Sequence, residues 1–136
     1  MPTAKPKFKK VYENIDSYEE CTWLSNDKPI FENNCTAVFN DKYPSVEGHM
    51  LFVPKKNTAE YIGESYKLAY SWGDEWIQEG KINGFNAGQN MGKCAGQTVM
   101  WPHIHFIPRH DGDSDLKKQL NGVRMAHPNG NNRHFY

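Results

Sequence analysis

Gln97-Thr98-Val99-Met100-Trp101-Pro102-His103-Ile104-His105-Phe106-Ile107-Pro108-Arg109 is the stretch that decides both fold and chemistry. Its apolar richness reads as one long strand over residues 97–109. Alternate side chains of a strand share a face, so His103 and His105 point one way while Ile104 and Phe106 enter the core. A His-x-His strand alone serves three readings equally: a metal site, a catalytic pair, or two unrelated histidines. The preceding loop changes that balance. Gly92 and Gly96 flank it, and Gln97 and Thr98 follow. Glycines admit backbone amides close to a phosphate, and the two polar side chains add donors. Ordinary turns use glycine too, but donors beside paired imidazoles favour phosphate chemistry over a plain metal site.

Moving outward, residues 84–90 read as a strand and 91–96 as a loop. A helix is expected from Asn57 or Thr58 to about Glu79. Its stripe is Glu60 and Tyr61, then Leu68, Trp72 and Trp76, with Ile62, Tyr66, Ala69 and Ile77 beside them, and Gly80 stops it. Residues 48–54 form an apolar strand ended by Pro54. Residues 29–39 give two short strands joined by a turn, after a turn at 26–29. Ser17 can cap a short helix over residues 17–24. Residues 1–16 read as a tail, and 17–136 as a single domain. The polar stretch 111–136, with His127, His134 and Arg124, is expected on the surface, with a partner subunit as one resting place. The fold class is α+β: an antiparallel sheet with one main helix on one face.

Sixteen basic and sixteen acidic residues cancel, so nothing in the charge argues for binding nucleic acid or an anionic membrane. Lys5, Lys7, Lys9 and Lys10 read as a solvated tail. No apolar run has the length of a membrane span or the pattern of a signal peptide. Cys21, Cys35 and Cys94 cannot all pair and fit no zinc spacing, so they are expected as reduced thiols in a cytoplasmic protein.

Residues 84–99 and His103-Ile104-His105-Phe106-Ile107-Pro108-Arg109 together resemble the signature of the histidine-triad (HIT) family. Upstream, Glu32-Asn33, Ala37-Val38-Phe39, Asp41, Pro44 and Gly48-His49-Met50-Leu51-Phe52-Val53-Pro54-Lys55-Lys56 are similar to its first block. Gly112-Asp113, Gly122-Val123-Arg124 and Tyr136 resemble the tail of bacterial members. The resemblance runs over residues 29–136 in order. It implies a HIT-like fold, a homodimer whose sheets join into one, and a purine nucleotide site in each subunit. It also implies hydrolysis or transfer at the α-phosphate of (di)nucleoside polyphosphates, as in diadenosine polyphosphate hydrolases, or nucleotide binding with weak turnover. By position His103 matches the nucleophile, His105 a phosphate contact and His49 a further active-site histidine. Asn90, Gly96, Gln97 and Thr98 match positions at the ribose and α-phosphate, Asp41 a carboxylate on the ribose hydroxyls, and Phe39 the base pocket. The family pattern is His-x-His-x-His, and Trp101 stands at the first place. Many relatives carry a zinc-binding Cys-x-x-Cys, of which this chain keeps only Cys21, so neither metal nor cofactor is expected.

The implied chemistry makes demands of its own. His103 must be neutral, with one nitrogen fixed by an acceptor such as a backbone carbonyl and the other open to a phosphate-sized hollow. A polyphosphate leaves without full protonation and an amine does not, so Trp101 should favour polyphosphates over phosphoramidates. For Trp101 itself, core filling is the preferred role over base stacking. Arg109 and Arg124 could meet distal phosphates or simply form surface salt links. His110 could replace the lost group, but an exposed loop histidine is the preferred reading.

Overall fold

The computed structural model describes residues 15–113. Residues 1–14 of the tail expected over 1–16 lie outside them, as do residues 114–136 of the polar stretch expected over 111–136, with Arg124, His127, His134 and Tyr136.

Among the described residues, five strands form one antiparallel sheet: β1 (Phe31–Glu32), β2 (Thr36–Asn40), β3 (Met50–Pro54), β4 (Gly84–Gly88) and β5 (Ile104–Arg109), in the order β1-β2-β3-β5-β4. The last strand in sequence therefore slots between β3 and β4, which places His103 and His105 mid-sheet. Near the amino end, a 3-10 turn over Tyr18–Glu20 precedes helix α1 (Thr22–Asn26). The single short helix expected over 17–24 is thus two pieces, because Cys21 is extended at φ −70°, ψ 148°. The main helix, α2 (Ala59–Gln78), starts where the Thr58 side chain accepts from the Tyr61 amide. Gly80, at φ +76°, follows its last turn.

Helix α2 lies on one face of the sheet through a line of small residues, Ser65, Ala69 and Gly73, all buried. Four-residue spacing puts them on one stripe. Ile62, Tyr66, Leu68, Trp72 and Trp76 flank that stripe and pack on Val38, Phe52, Ile104 and Phe106. At the centre the Thr36 and Ser65 hydroxyls meet at 2.7 Å. Ser65 donates to the Tyr61 carbonyl at 2.9 Å, so the shared hydrogen comes from Thr36.

The opposite face carries a second cluster: Tyr18, Cys21, Ala37, Phe39, Leu51, Val53 and Trp101. Register carries this face across to the histidines. Phe39 pairs with Leu51, Leu51 with His105, and His105 with Gly88. Paired residues share a face, so His105 stands in one row with Phe39 and Leu51, away from α2.

One boundary departs from expectation. Only residues 104–109 of the stretch 97–109 are strand. Pro102 has no N–H to give a ladder, and the Gln97 side chain organises the residues before it. Its Oε1 accepts from the Gly92 amide at 2.8 Å and its Nε2 donates to the Val99 carbonyl at 2.9 Å. The chain between β4 and β5 is thus a loop, with a 3-10 turn at Lys93–Ala95 and left-handed glycines at 92 and 96.

Candidate active site

His103 is the last residue before β5. Its Nδ1 lies 2.8 Å from the Trp101 carbonyl oxygen. A carbonyl only accepts, so Nδ1 carries the hydrogen and Nε2 keeps its lone pair. Burial lowers the basicity of this ring, against the smaller opposing pull of the Trp101 carbonyl and the charge of Asp41. A neutral imidazole with a bare Nε2 is the nucleophilic form.

His105 and His49 add a second chain of bonds. The Ser45 amide donates to His49 Nδ1 at 3.0 Å. That nitrogen must therefore be bare, and the ring hydrogen sits on Nε2. His49 Nε2 lies 3.0 Å from His105 Nδ1; a hydrogen donated there would leave that of His105 on Nε2. His103 and His105 would then hold opposite tautomers, with ring centroids 5.2 Å apart, one offering a lone pair and the other an N–H.

Asp41 follows β2, and its Oδ2 lies 3.2 Å from His49 Nε2. Asp41, His49 and His105 place ligand-type atoms within 4.8 Å of one another. That spacing suits a metal, but the bond from Ser45 does not. A ligand imidazole must present a lone pair, and His49 presents Nε2–H to this cluster. Cys21 fits no better, since it is fully buried among apolar residues with Trp101.

The remaining expected residues divide in two. Asn90 and Gly96 come together: a side chain at 96 would meet the Asn90 amide at 3.8 Å. Thr98 is half-buried. Gln97 is buried and uses both ends of its amide to shape the loop. Phe39 is 1% exposed and packed beneath the surface. Arg109 sits at the far end of β5, held by Asp113 at 3.1 Å and Asn86 at 2.6 Å. His110 is exposed. Trp101 fills the core, with its indole donating to the Pro54 carbonyl at 2.8 Å.

Two features were missed from sequence. Ser45 sets the His49 tautomer through its backbone, which no side-chain motif records. Trp23, on α1, lies against His103 with ring centroids 4.8 Å apart. His103 is 5% exposed. It is more enclosed than the open ring the chemistry calls for, and Trp23 covers part of it. A Trp six residues after the expected Ser17 cap of a short helix was the available signal, but it reads equally as core.

Comparison with known proteins gives the family and the fold. Residues 25–112 match the HIT domain. The chain belongs to the HIT family. An uncharacterised HIT-like protein of Methanocaldococcus jannaschii is 31% identical over 97 residues, covering 67% of this chain and 75% of that protein. An adenosine 5'-monophosphoramidase of Saccharomyces cerevisiae is 30% identical over 106 residues, covering 71% of this chain and 65% of that protein. Among solved structures, a diadenosine triphosphate hydrolase of Plasmodium falciparum has a TM-score of 0.60 at 21% identity, covering 85% of this chain and 88% of that one. A zinc-bound histidine triad protein of Mycobacterium smegmatis scores 0.58 at 23% identity, covering 80% and 77%. These two show the fold. Among the described residues, no helix is long and apolar enough to cross a membrane.

Proposed function

We propose that this HIT protein is a nucleotide phosphohydrolase that acts at the α-phosphate of (di)nucleoside polyphosphates through a nucleotidyl-histidine intermediate. The observation that carries the reading is the His103 ring, whose Nδ1–H is tied to the Trp101 carbonyl so that Nε2 is bare. Nε2 attacks phosphorus in line. The N–P bond forms as the bond to the bridging oxygen breaks, and the remaining polyphosphate leaves with that electron pair. Water then attacks the phosphoramidate, releasing the nucleotide and returning the lone pair to Nε2. His105 and Thr98 would meet charge on the phosphoryl oxygens, each worth about 3 kcal/mol in a dry site, whereas the Gly92, Ala95 and Gly96 amides expected to help already donate within their own loop. By family position Asp41 and Asn90 face the ribose and Phe39 the base pocket.

Trp101 stands where the family pattern has its first histidine, and it is committed to the core. The site therefore lacks one proton donor, which suits a polyphosphate leaving group better than an amine. The substrate must displace Trp23 to reach His103, and α1, only five residues long, is the element that would yield. That same enclosure favours a second reading, a nucleotide-binding module with little or no turnover. A transferase would share the covalent step and pass the nucleotide to an acceptor phosphate.

The purified protein is to be incubated with labelled diadenosine polyphosphate and quenched. Label attached to His103, absent in His103→Ala and discharged by water, is the expected result. Binding without label supports the module. Discharge only to an added sugar phosphate or nucleotide supports a transferase. In parallel, turnover of the polyphosphate should exceed that of an adenosine phosphoramidate, and equal or reversed rates would sink the role given to Trp101.

We also infer a homodimer. β4 ends the sheet, and its outer edge pairs with no described strand. Tyr70 of α2 is 67% exposed beside Phe85 of that strand. A twofold partner strand would satisfy the edge.

A further inference from the structure

The carboxylate of Asp41 is engaged on both sides. Its Oδ1 accepts from the Tyr43 amide at 2.8 Å. Its Oδ2 lies 3.2 Å from His49 Nε2 and 3.7 Å from His105 Nδ1, with the side chain only 9% exposed. A residue whose whole task was to hold sugar hydroxyls would not need this placement. We propose that Asp41 is a positioning residue, fixing the tautomers of the His49–His105 pair so that His105 presents Nε2–H to the substrate. The inference rests on the phosphate chemistry proposed above and adds to any contact Asp41 makes with the ribose.

Three links carry it. The Ser45 amide occupies His49 Nδ1 and forces that ring's hydrogen to Nε2. There the hydrogen lies between two acceptors, His105 Nδ1 and Asp41 Oδ2. An anion at 3.2 Å stabilises N–H on His49 Nε2 and repels a bare lone pair, so it opposes the inverted arrangement. In the inverted arrangement His105 would donate from Nδ1 to His49 and turn a bare Nε2 outward. Two bare nitrogens, on His103 and His105, would then face the phosphoryl oxygens, with no donor between them. His103 stands on the same face, 5.2 Å from His105 between ring centres. Its hydrogen is already committed to Trp101, so it cannot supply the missing donor.

Asp41→Asn keeps the shape and removes the charge, and its amide can turn N–H toward the same two nitrogens. The test compares wild type and D41N on two labelled substrates, a diadenosine polyphosphate and its 2',3'-dideoxy counterpart. The expected result is a fall in kcat of about tenfold or more with both, the scale on which orienting partners of an active imidazole act. A loss confined to KM for the ribose substrate, and gone with the dideoxy one, overturns the proposal and leaves Asp41 a sugar ligand. Histidine nitrogen NMR supplies a readout independent of turnover. Wild type should show hydrogen on Nε2 alone for both His49 and His105, and D41N a mixture at His105. Hydrogen on Nδ1 of His105 in wild type overturns the proposal even if D41N fails to fold. Failure of wild type to label His103 sinks the hydrolase reading, while the tautomer spectrum still decides this one.

Discussion

At the scale of single residues, His103 sets the pH behaviour. Its folded value is lowered from the ordinary 6.5 by burial. Below 6.5 the unfolded chain therefore binds a proton that the folded one refuses. Stability rises with pH wherever the unfolded state holds more protons. The stability associated with a neutral His103 is accordingly complete above 6.5 and lost as pH falls toward the depressed value. Thermal melts across that window should show a steeper acid loss for wild type than for His103→Gln, and parallel curves would contradict it. The acid limb of kcat/KM should likewise fall below 6.5, since only the neutral ring attacks. Sequence placed His103 and His105 on one face and asked for a backbone acceptor, and the Trp101 carbonyl stands in that place. It could not show the bond from Ser45, because a backbone amide leaves no trace in residue identity.

At the scale of elements, α2 was legible from end to end because Thr58, the apolar stripe and Gly80 all mark it. The closest line to the sheet was not. The stripe suggested contact through Leu68, Trp72 and Trp76, yet Ser65, Ala69 and Gly73 are the buried residues, with the large ones straddling them. Periodicity gives the direction of a face and not its depth of approach. A Cβ at Gly73 would collide with the Phe85 ring. Gly73→Ala should therefore destabilise the fold by about 1–3 kcal/mol through overpacking, despite the better helix propensity of alanine. Urea unfolding measures it, and an unchanged or raised midpoint would refute the tight contact. The over-long strand at 97–109 came from composition: apolar residues continue through it, but Pro102 and the Gln97 bonds end the ladder at 104.

At the scale of the whole molecule, the sheet divides two tasks. One face is sealed by α2. The other carries the row Phe39–Leu51–His105 and the histidine pairings beside it. This division follows two-residue alternation, which sequence displays at His103-Ile104-His105-Phe106 but not in β2 and β3, whose apolar runs are buried on both faces. The β4 edge leads to a prediction about assembly. Light scattering after size exclusion should give about twice the 15.7 kDa chain mass, and Tyr70→Glu should shift it toward one. A monomeric wild type would overturn the twofold arrangement.

Trp101 touches this protein at two levels at once. Its indole fastens the end of β3, and its carbonyl aims His103. Replacing it with histidine would not simply add an imidazole to the site. The smaller ring would vacate much of a packed indole's space, at a cost on the order of 3 kcal/mol, and would loosen the very peptide group that holds the His103 ring. Position 101 is held as by a ratchet: an imidazole there requires several coordinated changes in the surrounding core, and no single exchange supplies them.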